Sequence, residues 1–238
     1  MNSTDQNNSD ARVSLRLVTG LEVASVMLSV LIVTWAIIPL QSQNRWLIAI
    51  PGLLAVSLMT YSHRLRGESL SDLGFTLNHF GRALKLVAGP TILGMTVFAM
   101  IGYLNNSFHR GSKLWLTILL LPFWGLFQQY ILQGFIYRRV RFLLVDENAA
   151  SGERKKRITF AMIATAVIFA GVHLPNPALT LLTLIGGLVW SWVYERAPNL
   201  IALAFSHAAM SVMLMTSLPP WMLESMSVGY KHFMYQPF

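Results

Sequence analysis

Six side chains stand out because they are polar inside otherwise apolar runs: Gln128, Gln129, Gln133, His173, His207 and Ser211. A strongly polar residue in such a run is costly to bury, which makes it a functional candidate with a partner. An imidazole can take or give a proton near neutral pH, since its unperturbed pKa lies at about 6.5. A carboxamide has no useful basicity but offers both donors and an acceptor. Together these groups could activate a water through His173 or His207, with Gln128 orienting it or donating to an oxyanion. Each residue alone has a plainer use. Glutamines bond neighbouring helices, a histidine at a helix end can satisfy the last carbonyls, and serine is common in membrane helices. The combination at matching depth is what points to a site.

Spacing orients the set. Gln129 and Gln133 are i and i+4, so they share a helix face and can pair amide to amide, while Gln128 is turned about 100° away. His207 and Ser211 repeat the i, i+4 spacing. His173 precedes Leu174, Pro175, Asn176 and Pro177, and the prolines end its helix. At about 1.5 Å per residue, Gln128 lies roughly 15 Å from Arg138, His173 roughly 22 Å from Ile158 and His207 roughly 10 Å from Leu200. Against a hydrocarbon core of about 30 Å, all three fall in or near its middle third.

The elements that must hold these residues follow from composition. Of 238 residues, 54% are hydrophobic and 12% charged, where soluble domains carry about 25% charge. Mean hydropathy is +0.52. The missing charge excludes a disordered chain, a collagen and an ordinary cytosolic enzyme. The absence of cysteine excludes a disulfide scaffold, a thiolate metal site and a cysteine nucleophile. Seven apolar stretches follow a polar tail at residues 1–16, which reads as disordered and carries no signal-peptide pattern. They are Leu17–Leu40, Trp46–Tyr61, Leu86–Leu104, Leu114–Tyr137, Ile158–His173, Ala178–Tyr194 and Leu200–Leu218. The second and fifth are short for a span, which needs about 20 residues. The expected fold is an all-α, polytopic membrane bundle of about seven transmembrane helices. An eighth span would require a miscounted short segment or the tail at 219–238, which reads as interfacial.

The net charge of +8 could favour nucleic acid, but the positions of the basic residues favour a membrane topology instead. Fourteen of the eighteen Lys and Arg lie in 1–16, 62–85, 138–157 and 195–199, against four in the alternate segments. By the positive-inside rule the N-terminus is cytoplasmic and the C-terminus outside, in a multi-pass cell-membrane protein. The cluster Arg138, Arg139, Arg141, Arg154, Lys155, Lys156 and Arg157 reads either as a solvated loop or as a contact to anionic lipid. Nucleic acid is not expected, since no recognition motif is present. Glu22 is expected to snorkel from the first span and takes no role. Between the second and third spans, Asn78 can cap a helix, and Leu77, Phe80 and Leu84 give it an apolar face. That segment reads as an amphipathic helix on the cytoplasmic interface.

The motifs together resemble the CPBP family, also called Abi, of CAAX-type prenyl-protein proteases and bacteriocin-processing relatives. Three membrane-embedded motifs carry the resemblance. The family's EExxxR stands here as Gln128-Gln129-Tyr130-Ile131-Leu132-Gln133, its FxxxH as Phe169 to His173, and its HxxxN or HxxxD as His207 to Ser211. The SDLGF element at 71–75 and the run YERAPNLIALAFSH at 194–207 add to it, and the resemblance covers about residues 68–215. It implies an intramembrane endopeptidase acting on a membrane-embedded or membrane-proximal peptide or protein. In that family the first Glu activates water, the second pairs with the motif Arg, and the histidines and Asn orient water and stabilise the oxyanion. Several members are metalloproteases. Carried over, His173 and His207 match, while Gln128, Gln129, Gln133 and Ser211 depart. Exchanging a Glu–Arg pair for Gln129 and Gln133 removes both charges together, so no charge is stranded. Gln128 cannot supply general-base catalysis, typically worth about 10²–10⁴-fold. No cofactor is expected, and metal use stays open, since two histidines fall short of the three ligands of a catalytic zinc site. The alternative function is a catalytically silent membrane protein that binds or regulates through the same cavity.

Overall fold

A computed structural model describes residues 3–37, 46–109, 111 and 113–234. It is a helix bundle, with no strand among the described residues. Helix α1 (Ser3–Ile32) runs into a π-helical end at Val33–Ile37, followed by α2 (Trp46–Leu65) and α3 (Phe80–Leu104). Helix α4 (Leu114–Gln129) continues through a π-helical segment (Tyr130–Tyr137) into α5 (Arg138–Leu144). Then come α6 (Ser151–Gly171), α7 (Pro177–Arg196), α8 (Leu200–Ser217) and the short α9 (Pro220–Leu223). Helix α8 packs between α3 and α4, α6 lies along α7, and α1 pairs with α2.

Among the described residues, five segments are long and apolar enough to cross a membrane: Ser14–Ile37, Phe80–Leu104, Leu114–Leu144, Pro177–Arg196 and Leu200–Ser217. With apolar residues such as Leu28, Leu93 and Phe123 on them more than half exposed, these make an integral membrane protein. The two short stretches of the sequence lie in α2 and α6, outside this set. Helix α6 spends its first two turns on Ser151-Gly-Glu-Arg-Lys-Lys-Arg157, too charged for a hydrocarbon core.

Four expectations change. Residues 3–16, expected to be disordered, are helical, because extending a helix already nucleated by an apolar span fixes one residue per hydrogen bond gained. The amphipathic segment after the second span is no separate helix. Residues 66–79 form turns, His79 takes a left-handed conformation at φ 61°, and α3 starts at Phe80. Asn78 does not cap; its carbonyl instead accepts from Asn199 Nδ2 at 3.0 Å. The loop expected at 138–157 is helical through Leu144, which carries Arg138 and Arg139 inward. Finally, Glu22 does not reach water: it is 8% exposed and accepts from Arg66 at 2.7 Å.

Two asparagines set the register of the helices that matter most. Asn176 caps α7, accepting from Leu179 N–H at 3.0 Å, with Pro177 in the first turn where its missing N–H costs nothing. Its Nδ2 donates to the carbonyls of Leu223 and Ser227, tying the C-terminal tail to the turn after His173. Asn199 caps α8 through Ala202 N–H at 2.8 Å and donates to the carbonyls of Thr76 and Asn78. Gly125 lets α4 and α8 touch: a Cβ there would meet the Ala204 carbonyl at 3.0 Å and His207 Cβ at 3.4 Å. Close backbone approach over small residues is how apolar helices pack where no hydrophobic drive separates them from lipid.

Candidate active site

Gln129 sits one turn after Gly125, so the same close approach brings its amide to α8. Its Nε2 donates to His207 Nδ1 in a long hydrogen bond of 3.4 Å. His207 is stacked on Trp190 of α7, with centroids 4.7 Å apart and planes 9° from parallel. Trp190 Nε1 is held by Ser206 at 3.1 Å, and Ser206 in turn bonds Thr91 of α3 at 2.7 Å. A chain of side chains from three helices thus fixes the imidazole plane.

His173 reaches the same region from the end of α6. Its Nδ1–H donates to the Phe169 carbonyl at 2.8 Å, and the Phe169 ring packs edge-on against it at 4.9 Å. That ring lies 6.1 Å from Trp190 and 6.5 Å from His207. The FxxxH spacing therefore supplies both the acceptor that orients one histidine and the ring between the two.

With the Gln129 amide nitrogen facing His207, these bonds favour complementary tautomers. A histidine donating through Nδ1 keeps a lone pair on Nε2, so His173 presents a base. A histidine accepting at Nδ1 carries its proton on Nε2, so His207 presents a donor. One base and one donor on either side of Phe169 are the two functions that attack on a carbonyl needs.

The glutamines divide their roles. Gln129 and Gln133 are both fully buried but do not bond one another. Gln133 Nε2 donates to Ser191 of α7 at 3.1 Å. The turn between them is π-helical, with i→i+5 bonds in place of i→i+4, and each amide finds its partner on another helix. Both carbonyl oxygens are left without a hydrogen bond to protein. Gln128, half-buried, has no side-chain partner among the described residues, and neither does Ser211, one turn beyond His207. Helix periodicity could not reveal Trp190, Ser191 or Phe169's second contact, because each depends on which helices become neighbours. Asn176 and Asn199 were findable: each stands beside a proline and just ahead of an apolar run.

No group of three His, Asp, Glu or Cys side chains among the described residues is arranged to hold a metal ion. The two histidines therefore do not fit a zinc site with three protein ligands.

A partly buried carboxylate lies elsewhere, at the end of the bundle where α5 begins. Arg139 is 2% exposed and grips Glu68 through two nitrogens at 2.7 and 3.1 Å. Arg138 adds a bond to Glu68 at 2.6 Å, and His63 another at 2.7 Å. Ser62 accepts from both Arg139 and Arg66. Burial would raise the Glu68 pKa, but the bonds from His63, Arg139 and Arg138 outweigh it and hold the carboxyl well below the usual range. This network is the counterpart of the amide site: ions at the bundle's end, neutral groups in its interior.

Fold and site together define a membrane-embedded helix bundle with a buried amide–imidazole centre. Residues 110–213 match the family model described as type II CAAX prenyl endopeptidase Rce1-like, in agreement with the resemblance carried by the three motifs. Every candidate residue from Gln128 to Ser211 lies inside that segment. No curated protein and no solved structure matches the chain.

Proposed function

We propose that this protein is a CAAX-protease-like intramembrane endopeptidase acting on membrane-presented peptides, with water activation shifted from a carboxylate to His173. The observation that carries the reading is the pair of oriented imidazoles: His173 Nδ1 lies on the Phe169 carbonyl, which leaves its Nε2 lone pair free, and His207 Nδ1 faces Gln129 Nε2, which assigns its proton to Nε2. Gln128 replaces the family's water-activating Glu and serves as a donor that orients water or an oxyanion. The unpaired carbonyl oxygens of Gln129 and Gln133 support the presence of a ligand, since each costs about 1–3 kcal/mol while unpaired and each could accept a peptide N–H.

A second reading is favoured by the absence of any carboxylate at the site: the cavity holds a membrane peptide without cutting it. One assay separates the two. Purified protein in lipid nanodiscs is given a quenched fluorescent peptide ending in a prenylated CAAX sequence, beside its unprenylated form. The wild type should cleave, His173→Gln should lose cleavage, and His207→Gln, which keeps a donor near Nε2, should retain a measurable fraction. Cleavage that appears only in Gln128→Glu, with wild-type binding intact, assigns the silent role instead. Equal cleavage by wild type and His173→Gln would remove His173 as the base.

A further inference from the structure

An open apolar groove of about 420 Å³ runs between α3, α6 and α7, away from the amide–imidazole centre. Its lining includes Pro90 of α3, Thr159, Met162 and Ile163 of α6, and Leu188 and Trp192 of α7. The volume falls within the roughly 300–1,000 Å³ of small-molecule sites. Thr159 is one of few polar groups along it, so the groove itself is complementary to hydrocarbon.

The end of this groove is cationic. Lys155 and Lys156 precede Met162 and Ile163 by seven residues, two helical turns, and therefore stand over the same face of α6. Arg196 lies one turn beyond Trp192, its guanidinium 4.2 Å from the ring centroid and one nitrogen donating to the Trp192 carbonyl. Arg82 comes from the first turns of α3. These ends share one side of the bundle, where Arg141 bonds Glu195 and Arg157 reaches the Leu144 carbonyl.

What distinguishes these cations is the lack of an acid beside them. Arg138, Arg139, Arg141 and Arg157 each hold a carboxylate. Lys155, Lys156, Arg82 and Arg196 have none among the described residues, and all four are exposed. An apolar furrow capped by unneutralised cations is complementary to a molecule with a hydrocarbon chain and an anionic head.

We infer that the groove is a binding site for an anionic glycerophospholipid, one acyl chain lying along Trp192 and the headgroup phosphate held by Lys155, Lys156 and Arg196. The site is independent of whether the central cavity hydrolyses peptides.

Trp192 provides the readout. The protein is reconstituted in phosphatidylcholine nanodiscs with rising fractions of acyl-brominated phosphatidylglycerol or acyl-brominated phosphatidylcholine. The Trp192 signal is the difference between wild type and Trp192→Phe. It should be quenched at a several-fold lower fraction of the brominated anionic lipid. In Lys155→Gln/Lys156→Gln that preference should fall by about five-fold or more, as expected for loss of basic residues near an anionic headgroup. Quenching by brominated phosphatidylcholine should stay unchanged in this variant, which shows that the groove is still folded and lipid-filled. Equal quenching by the two lipids in the wild type would make the groove ordinary lipid contact and overturn the proposal. A preference that survives the double substitution would overturn the headgroup assignment.

Discussion

Arg139 is the largest of the fully buried side chains, and its burial is sustained only by partners. Replacing it with Met removes two of the bonds to Glu68 and leaves Arg138 and His63 to hold the half-buried carboxylate, which should cost about 1–3 kcal/mol. The further substitution Glu68→Gln should recover part of that loss, read as unfolding temperature in detergent. Glu68 also makes a pH prediction. Its folded pKa lies below the unfolded value of about 4.3. Its contribution is therefore complete above that pH and is lost as pH falls through the folded pKa. The wild type should lose stability steeply on acidification below about pH 4, and Glu68→Gln should show a shallower decline. At this scale the sequence was legible for residues whose chemistry contradicts their surroundings: a Gln or His in an apolar run announces itself. Arg139 gave no such signal, because it sits among other basic residues at a span's end. A buried guanidinium and a solvated one look alike until the acid across the bundle is known.

Helices α4 and α8 meet where Gly125 faces the Ala204 carbonyl, and that contact sets the reach of Gln129 to His207. Gly125→Ala puts a methyl at 3.0 Å from backbone, so the helices must separate by a few tenths of an ångström. Gly125→Leu forces them further apart and should lower the unfolding temperature more. Both should weaken any cleavage or peptide binding before secondary structure changes, as read by circular dichroism beside the assay. Element existence was legible, since each of the seven apolar stretches is helical over nearly all of its described residues. Element ends were less so. Arg138 to Leu144 read as loop because charge usually marks a span's exit; here ion pairing lets the helix continue. The amide pairing expected between Gln129 and Gln133 rested on α-helical spacing, and the π turn between them removes that premise. Such a turn leaves no clear mark in composition.

Across the whole molecule, the 14-to-4 division of basic residues remains the argument for a cytoplasmic N-terminus. It predicts that alkaline phosphatase fused after Met234 is active in a bacterial host, and that green fluorescent protein fused there is dark. The reverse pattern would put the C-terminus inside and overturn this orientation. The π segment Tyr130–Tyr137 has a consequence of its own. It joins the neutral centre upstream, at Gln128 and Gln129, to the ionic lock downstream, at Arg138 and Arg139. Removing one residue within it would rotate everything beyond by about 100° relative to everything before. Either the glutamines keep their bearing and the arginines lose Glu68, or the reverse. The extra residue thus acts as a phase-setter between two chemistries on one rod. Point substitutions on either side should be tolerated far better than a single-residue deletion between them.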